Sequence, residues 1–73
     1  MRSDEQLQRD VLNELKSDER LGIDELDVRV ERTVVTLTGR ARTAGQSWRA
    51  LEAARRIAGL APVSNKIAVE NGQ

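Results

Sequence analysis

The chain reads as an α+β domain in the order αββαβ, two helices packed on one face of a three-stranded mixed sheet. Three observations predict this. Val28–Gly39, VRVERTVVTLTG, carries two β-branched runs around a short polar break. Two amphipathic stretches each open on a hydroxyl residue with glutamine three positions later, at Ser3 and Gln6 and at Thr43 and Gln46. A last β-branched run, Val63 to Val69, follows Pro62.

In chain order, Ser3 is the first N-cap, and Asp4 and Glu5 stand where the helix dipole favours anions. Leu7, Val11 and Leu15 recur every four residues and Leu12 widens the stripe, so the helix runs to about Asp18 and leaves through Leu21-Gly22.

The hairpin follows. Strand side chains alternate with period two, so a loop at Glu31-Arg32 places Leu26, Val28, Val30, Val35 and Leu37 on one face. Val28 then faces Val35 and Leu26 faces Leu37. A four-residue loop, Glu31 to Val34, keeps this parity. A three-residue loop turns one strand over and buries charge. The loop is therefore two or four residues long. Two-residue loops favour Asn-Gly or Asp-Gly, which Glu31-Arg32 lacks, so both lengths stay open.

Gly39 closes the second strand, and Arg40-Ala41-Arg42 is a connector or strand end. Thr43 caps the second helix, in which Ser47, Ala50, Leu51, Ala54, Ile57 and Ala58 share one side. Arg49, Glu52, Ala53 and Arg56 point away, with Glu52 and Arg56 spaced to pair. Gly59 and Pro62 end the helix. Val63, Ile67 and Val69 share a face of the third strand, with Asn65 interrupting it. A helical crossover makes strands two and three parallel and puts both helices on one sheet face. The expected strand order is 1-2-3; an antiparallel 2-1-3 sheet is the alternative. The core spans 4–69, and 70–73 form a frayed tail.

Seventy-three residues make one domain, covering 1–73. A fold this small buries only about 60% of the surface its unfolded chain exposes, so stability is modest. The sequence has no cysteine and no histidine, which excludes disulfides and the ordinary zinc, haem and Cys- or His-based catalytic sites. No apolar run is long enough to span a membrane, and the polar, acidic start MRSDEQLQRD is unlike a secretory signal. Scattered carboxylates, serines and lysines form no convergent pattern, so the chain is not expected to be an enzyme, nor to hold a metal, cofactor or small-molecule substrate. The acidic run from Asp18 to Glu31 lacks the ligand spacing and glycine of a calcium loop.

Net charge is zero but unevenly spread. Residues 1–31 hold five basic side chains against ten acidic ones, while residues 32–73 hold seven against two. The plain account is that the two halves pack together and attract. A neutral total and a single aromatic argue against nucleic acid. That aromatic, Trp48, lies beside Arg49 and close to Arg40 and Arg42, and tryptophan with arginine is what a membrane interface favours. The competing account is that Trp48 covers the edge of the core. The helix N-terminus at Thr43–Gln46 adds free N–H groups beside Arg40 and Arg42, where an anion or lipid phosphate could lodge. The first helix is the poorer membrane candidate, since Glu5, Asp10 and Glu14 would be repelled by anionic lipid.

Leu26-x-Val28-x-Val30, Val35-Thr36-Leu37-Thr38-Gly39, Ala50-x-x-x-Ala54, Ile57-x-Gly59-Leu60 and Val63-x-Asn65-x-Ile67-x-Val69 together resemble the BON domain, a bacterial module of osmotically induced, nodulation and transport-associated proteins. The resemblance runs from about Asp10 to Val69. It departs at Glu31-Arg32, where a glycine-containing turn is usual, and at Arg40-Ala41, where valine is common. It implies an αββαβ fold and a non-enzymatic role in binding phospholipid surfaces or holding envelope assemblies together. The expected partner is an anionic phospholipid surface met by Arg40, Arg42, Trp48 and Arg49. The alternative is a protein partner or a second copy of the chain. Localisation is cytoplasmic if Met1 is the native start, and periplasmic or envelope-associated if the domain comes from a longer chain.

Overall fold

The computed structural model describes residues 2–70, so the last three residues of the expected tail lie outside it. The elements are α1 (Asp4–Lys16), β1 (Asp24–Glu31), β2 (Val34–Ala41), α2 (Ala44–Ala58), β3 (Val63–Asn65) and β4 (Ala68–Val69). The fold is α+β with a mixed sheet in the order β1-β2-β3; β4 also pairs with β2. β1 is antiparallel to β2, and β3 and β4 are parallel to it. The antiparallel 2-1-3 alternative is thus excluded, and the single third strand is instead two short ones.

Both helices begin as their sequences dictate. Ser3 Oγ accepts the Gln6 N–H at 3.1 Å, and Gln6 Oε1 accepts the Ser3 N–H in return. Thr43 and Gln46 form the same reciprocal box. α1 ends at Lys16, two residues before the expected Asp18, because Ser17 caps it through bonds to Asn13 and Leu15. Leu7, Val11 and Leu15 of α1 and Ala50, Ala53, Ala54 and Ala58 of α2 are buried against Val28, Val30, Val35 and Leu37. Ala53, expected to point outward, is 6% exposed and belongs to the core. A methyl group is small enough to fit where the flank of α2 meets α1.

The hairpin keeps its expected parity but not the expected loop position. Val30 faces Val35 and Val28 faces Leu37, the register expected of the four-residue loop. Glu31 nonetheless pairs with Val34, so the loop is the two-residue Arg32-Thr33. Both residues have positive φ, 51° and 65°, the geometry a tight hairpin with matching twist requires. Neither is a residue that adopts it readily, and a β-branched threonine there is strained. Asp4 Oδ1 at the start of α1 accepts the Thr33 N–H at 3.3 Å and ties the turn to the helix layer.

Gly39 does not close β2, which continues to the fully buried Ala41. It lies instead opposite an irregularity in β1 between Asp24 and Asp27, where Glu25 takes φ 55°. A Cβ at Gly39 would come within 2.9 Å of Ile23 Cγ2 and 3.1 Å of the Asp24 carbonyl, so the extra β1 residue fits only over glycine. At the outer edge of β1, Gln8 Oε1 accepts the Val30 N–H at 3.0 Å, blunting an edge that would otherwise invite another strand.

Asn65 explains the break between β3 and β4. Its Nδ2 donates to Ser47 Oγ at 2.8 Å and its Oδ1 accepts the Ile67 N–H at 3.1 Å. The chain therefore steps off β2 at Lys66 and Ile67, drops Ile67 into the core and rejoins at Ala68.

Asn65→Ala strands the buried Ser47 hydroxyl and frees the Ile67 amide, each bond being worth about 1 kcal/mol and an orphaned group more. Thermal unfolding of the variant is expected roughly 10 °C lower. An unchanged midpoint would show that the step is held by packing alone. Replacing Arg32-Thr33 by Asn-Gly relieves the left-handed strain at both positions and is expected to raise the unfolding free energy by about 1 kcal/mol in urea titration.

Candidate functional site

The four expected contact residues do not share one surface. Alternation along β2 sends Val35, Leu37 and Ala41 under the helices and leaves Val34, Thr38 and Arg40 exposed on the opposite, uncovered sheet face. Because β2 runs past Gly39, Arg40 takes its place in that alternation. Arg40 Nη2 lies 2.6 Å from Glu25 Oε1, so its charge is matched locally. Arg42 comes after the strand ends and is exposed. Its backbone N–H is held by Gln46 Oε1 at 2.8 Å, joining the connector to the capping box of α2.

Trp48 and Arg49 lie in the first turns of α2. Trp48 is 59% exposed, so it does not cover the core. The sheet beneath α2 is filled by alanines and by Ser47, and an indole has no place there. Arg49 lines a shallow concavity of about 290 Å³ with Arg20, Thr43, Gly45 and Gln46. Arg20 was missed by reading the sequence, since it lies more than twenty residues away in the loop after α1. The only sequence signal for it is Gly22, whose φ of 63° turns that loop against Gln46. The α2 N-terminus has no acidic residue in its first turn, and Gln46 N–H is already taken by Thr43 Oγ1 at 3.2 Å. This end of the molecule therefore presents Arg20, Arg42 and Arg49 around the positive end of a helix dipole. None of the three ends in an ion pair among the described residues.

On α1, Glu5 and Asp10 are exposed as expected and Glu14 is half-buried, but basic residues share the outward side. Asp10 is bound by Arg2 at 3.0 Å, and the positions opposite the buried Leu7, Val11 and Leu15 are Arg9, Asn13 and Lys16. On α2, Glu52 reaches Arg55 at 3.5 Å rather than Arg56. Gly59 ends α2 with φ 66°, and Leu60 beyond it is fully exposed.

Among the described residues no group of three or more carboxylates could hold a metal ion, and no helix is long and apolar enough to cross a membrane. What this surface can do chemically is attract anions and present one flat apolar ring.

A comparison with curated proteins found no match. The family model of the BON domain matches residues 3–71, nearly the whole chain. Its span takes in both capping boxes, the hairpin and the Asn65 step, the features on which this fold is built. The chain belongs to the BON domain family, whose members are in general non-catalytic binding modules.

Proposed function

We propose that this domain binds anionic phospholipid surfaces through the basic end at which α2 begins. The observation that carries the reading is Trp48, a tryptophan 59% exposed next to Arg49, which shares a concavity with Arg20 at the start of the helix that Arg42 leads into. Exposing that much indole to water is costly. Its amphipathic ring fits the headgroup layer, where arginine finds phosphate. Each basic residue contributes about 1 kcal/mol near an anionic leaflet, so one copy binds weakly and linked copies bind well. Arg40, spent on Glu25 across the sheet, contributes least of the four expected residues.

A second reading, docking to a protein, is favoured by Leu60, fully exposed at the far end of α2, and by half-exposed Val34. Light scattering at low and high salt addresses self-association. Salt-sensitive dimers favour the second reading, and a monomer at both salts removes self-association from it.

Co-sedimentation with phosphatidylglycerol vesicles is expected at low ionic strength, falling as salt is raised and absent with phosphatidylcholine. Arg49→Gln is expected to weaken binding about fivefold. Trp48→Ala should weaken it further and reduce the residual binding at high salt. No binding of the unaltered domain at low salt overturns the phospholipid reading.

A further inference from the structure

The arrangement of charge between the two layers extends the site beyond the residues at the start of α2. The buried side of α2 is Ser47, Ala50, Ala53, Ala54 and Ala58. The helical repeat puts Glu52 opposite it, with Trp48 and Arg55 on one side of Glu52 and Arg49 and Arg56 on the other. All five are exposed. The outward flank of α2 thus carries three arginines and the tryptophan against a single carboxylate, and that carboxylate reaches Arg55 at only 3.5 Å.

The uncovered sheet face is arranged differently. There the arginines stand among carboxylates, and one of them is paired. Arg40 meets Glu25 at 2.6 Å. Arg29 stands on β1 between Asp27 and Glu31, and strand alternation puts all three on the same face. A chain of zero net charge therefore presents a basic, aromatic helix flank on one side and, on the other, a sheet face whose two arginines stand among three carboxylates.

We infer that the bilayer contact extends from the start of α2 along the whole outward flank of that helix, Trp48 with Arg49, Arg55 and Arg56, and that the flank carries most of the affinity. α2 then lies parallel to the membrane plane, Arg9 and Lys16 of α1 face the same leaflet with Glu5 beside them, and the sheet faces away. This rests on the phospholipid reading. The occupant is an anionic bilayer because only a broad, flat array of phosphates meets arginines spread over two turns of helix while accepting an indole between them.

The test compares three charge-matched double variants on vesicles of phosphatidylglycerol and phosphatidylcholine, with folding checked by circular dichroism. R55Q/R56Q on the flank is expected to lose about 30-fold in affinity, two basic contacts at roughly fivefold each. R20Q/R42Q at the end of the molecule should lose less, and R29Q/R40Q on the sheet should bind like the unaltered domain. Trp48 emission should shift to the blue on binding and be quenched by brominated lipid, and both signals should survive in R29Q/R40Q. Full affinity in R55Q/R56Q with loss in R20Q/R42Q places the contact at the end and overturns the inference while leaving the phospholipid reading intact. Equal losses in all three variants overturn it as well, as undirected attraction. Failure of the unaltered domain to bind removes both.

Discussion

The fold depends on one strand being paired on both sides while its alternate residues are wholly withdrawn from water. β2 joins β1 on one edge and β3 and β4 on the other, and Val35, Leu37 and Ala41 on its inner face are fully buried. A backbone satisfied along both edges holds those three positions at fixed spacing. The helices must then match them, α1 with a stripe of leucine and valine over β1, and α2 with alanines that bring its axis close to β2 and β3. Burying these side chains is the main favourable term for so small a domain. The polar bonds of Gln8, Gln46 and Asn65 contribute less energy and more definition. Gln46 fixes how the connector enters α2 and Asn65 ends β3, while Gln8 satisfies the open edge of β1 at Val30.

Much of this was legible in the residues, and the errors have identifiable physical causes. Parity is a strong signal, because a slip of one residue would bury Asp27 or Arg29. The inward set Val28, Val30, Val35 and Leu37 therefore followed directly. The position of the turn did not, because turn preferences point to glycine and asparagine. Arg32-Thr33 adopts positive φ only because the pairing on either side and the Asp4 carboxylate hold it there. The irregularity in β1 was illegible for a related reason. Glu25 has no propensity for its conformation, and its only trace in the sequence is Gly39 across the sheet, a residue that by its type alone signals a strand end.

That single error carried over into the site. With β2 stopped at Gly39, Arg40 is a loop residue free to join Arg42. With β2 running to Ala41, the same alternation that buries Ala41 turns Arg40 to the far face and onto Glu25. Sequence proximity had grouped Arg40 with Arg42, Trp48 and Arg49. Strand geometry separates it. Arg20 joins them instead, since the fold of the loop after α1 brings it to the start of α2. Trp48 read ambiguously because a lone tryptophan in a small domain usually packs. Its angular position on α2, well away from the buried Ser47, Ala50, Ala54 and Ala58, decides that it stands in water.

Charge along the chain and charge in space are also different quantities here. The first 31 residues are acidic and the rest basic, which by itself points to two halves that attract each other. Among the described residues the ion pairs join Arg2 to Asp10, Arg40 to Glu25 and Arg55 to Glu52, and of these the second alone crosses from one half to the other. The asymmetry therefore remains largely at the surface. Neutral overall, the molecule has no long-range attraction to an anionic surface as a whole, yet an arginine-bearing helix flank within a Debye length of such a surface is attracted while the opposite face is not. Orientation comes before affinity in such an encounter. That is a sufficient physical basis for a binding module with neither a pocket chemistry nor a net charge to recommend it.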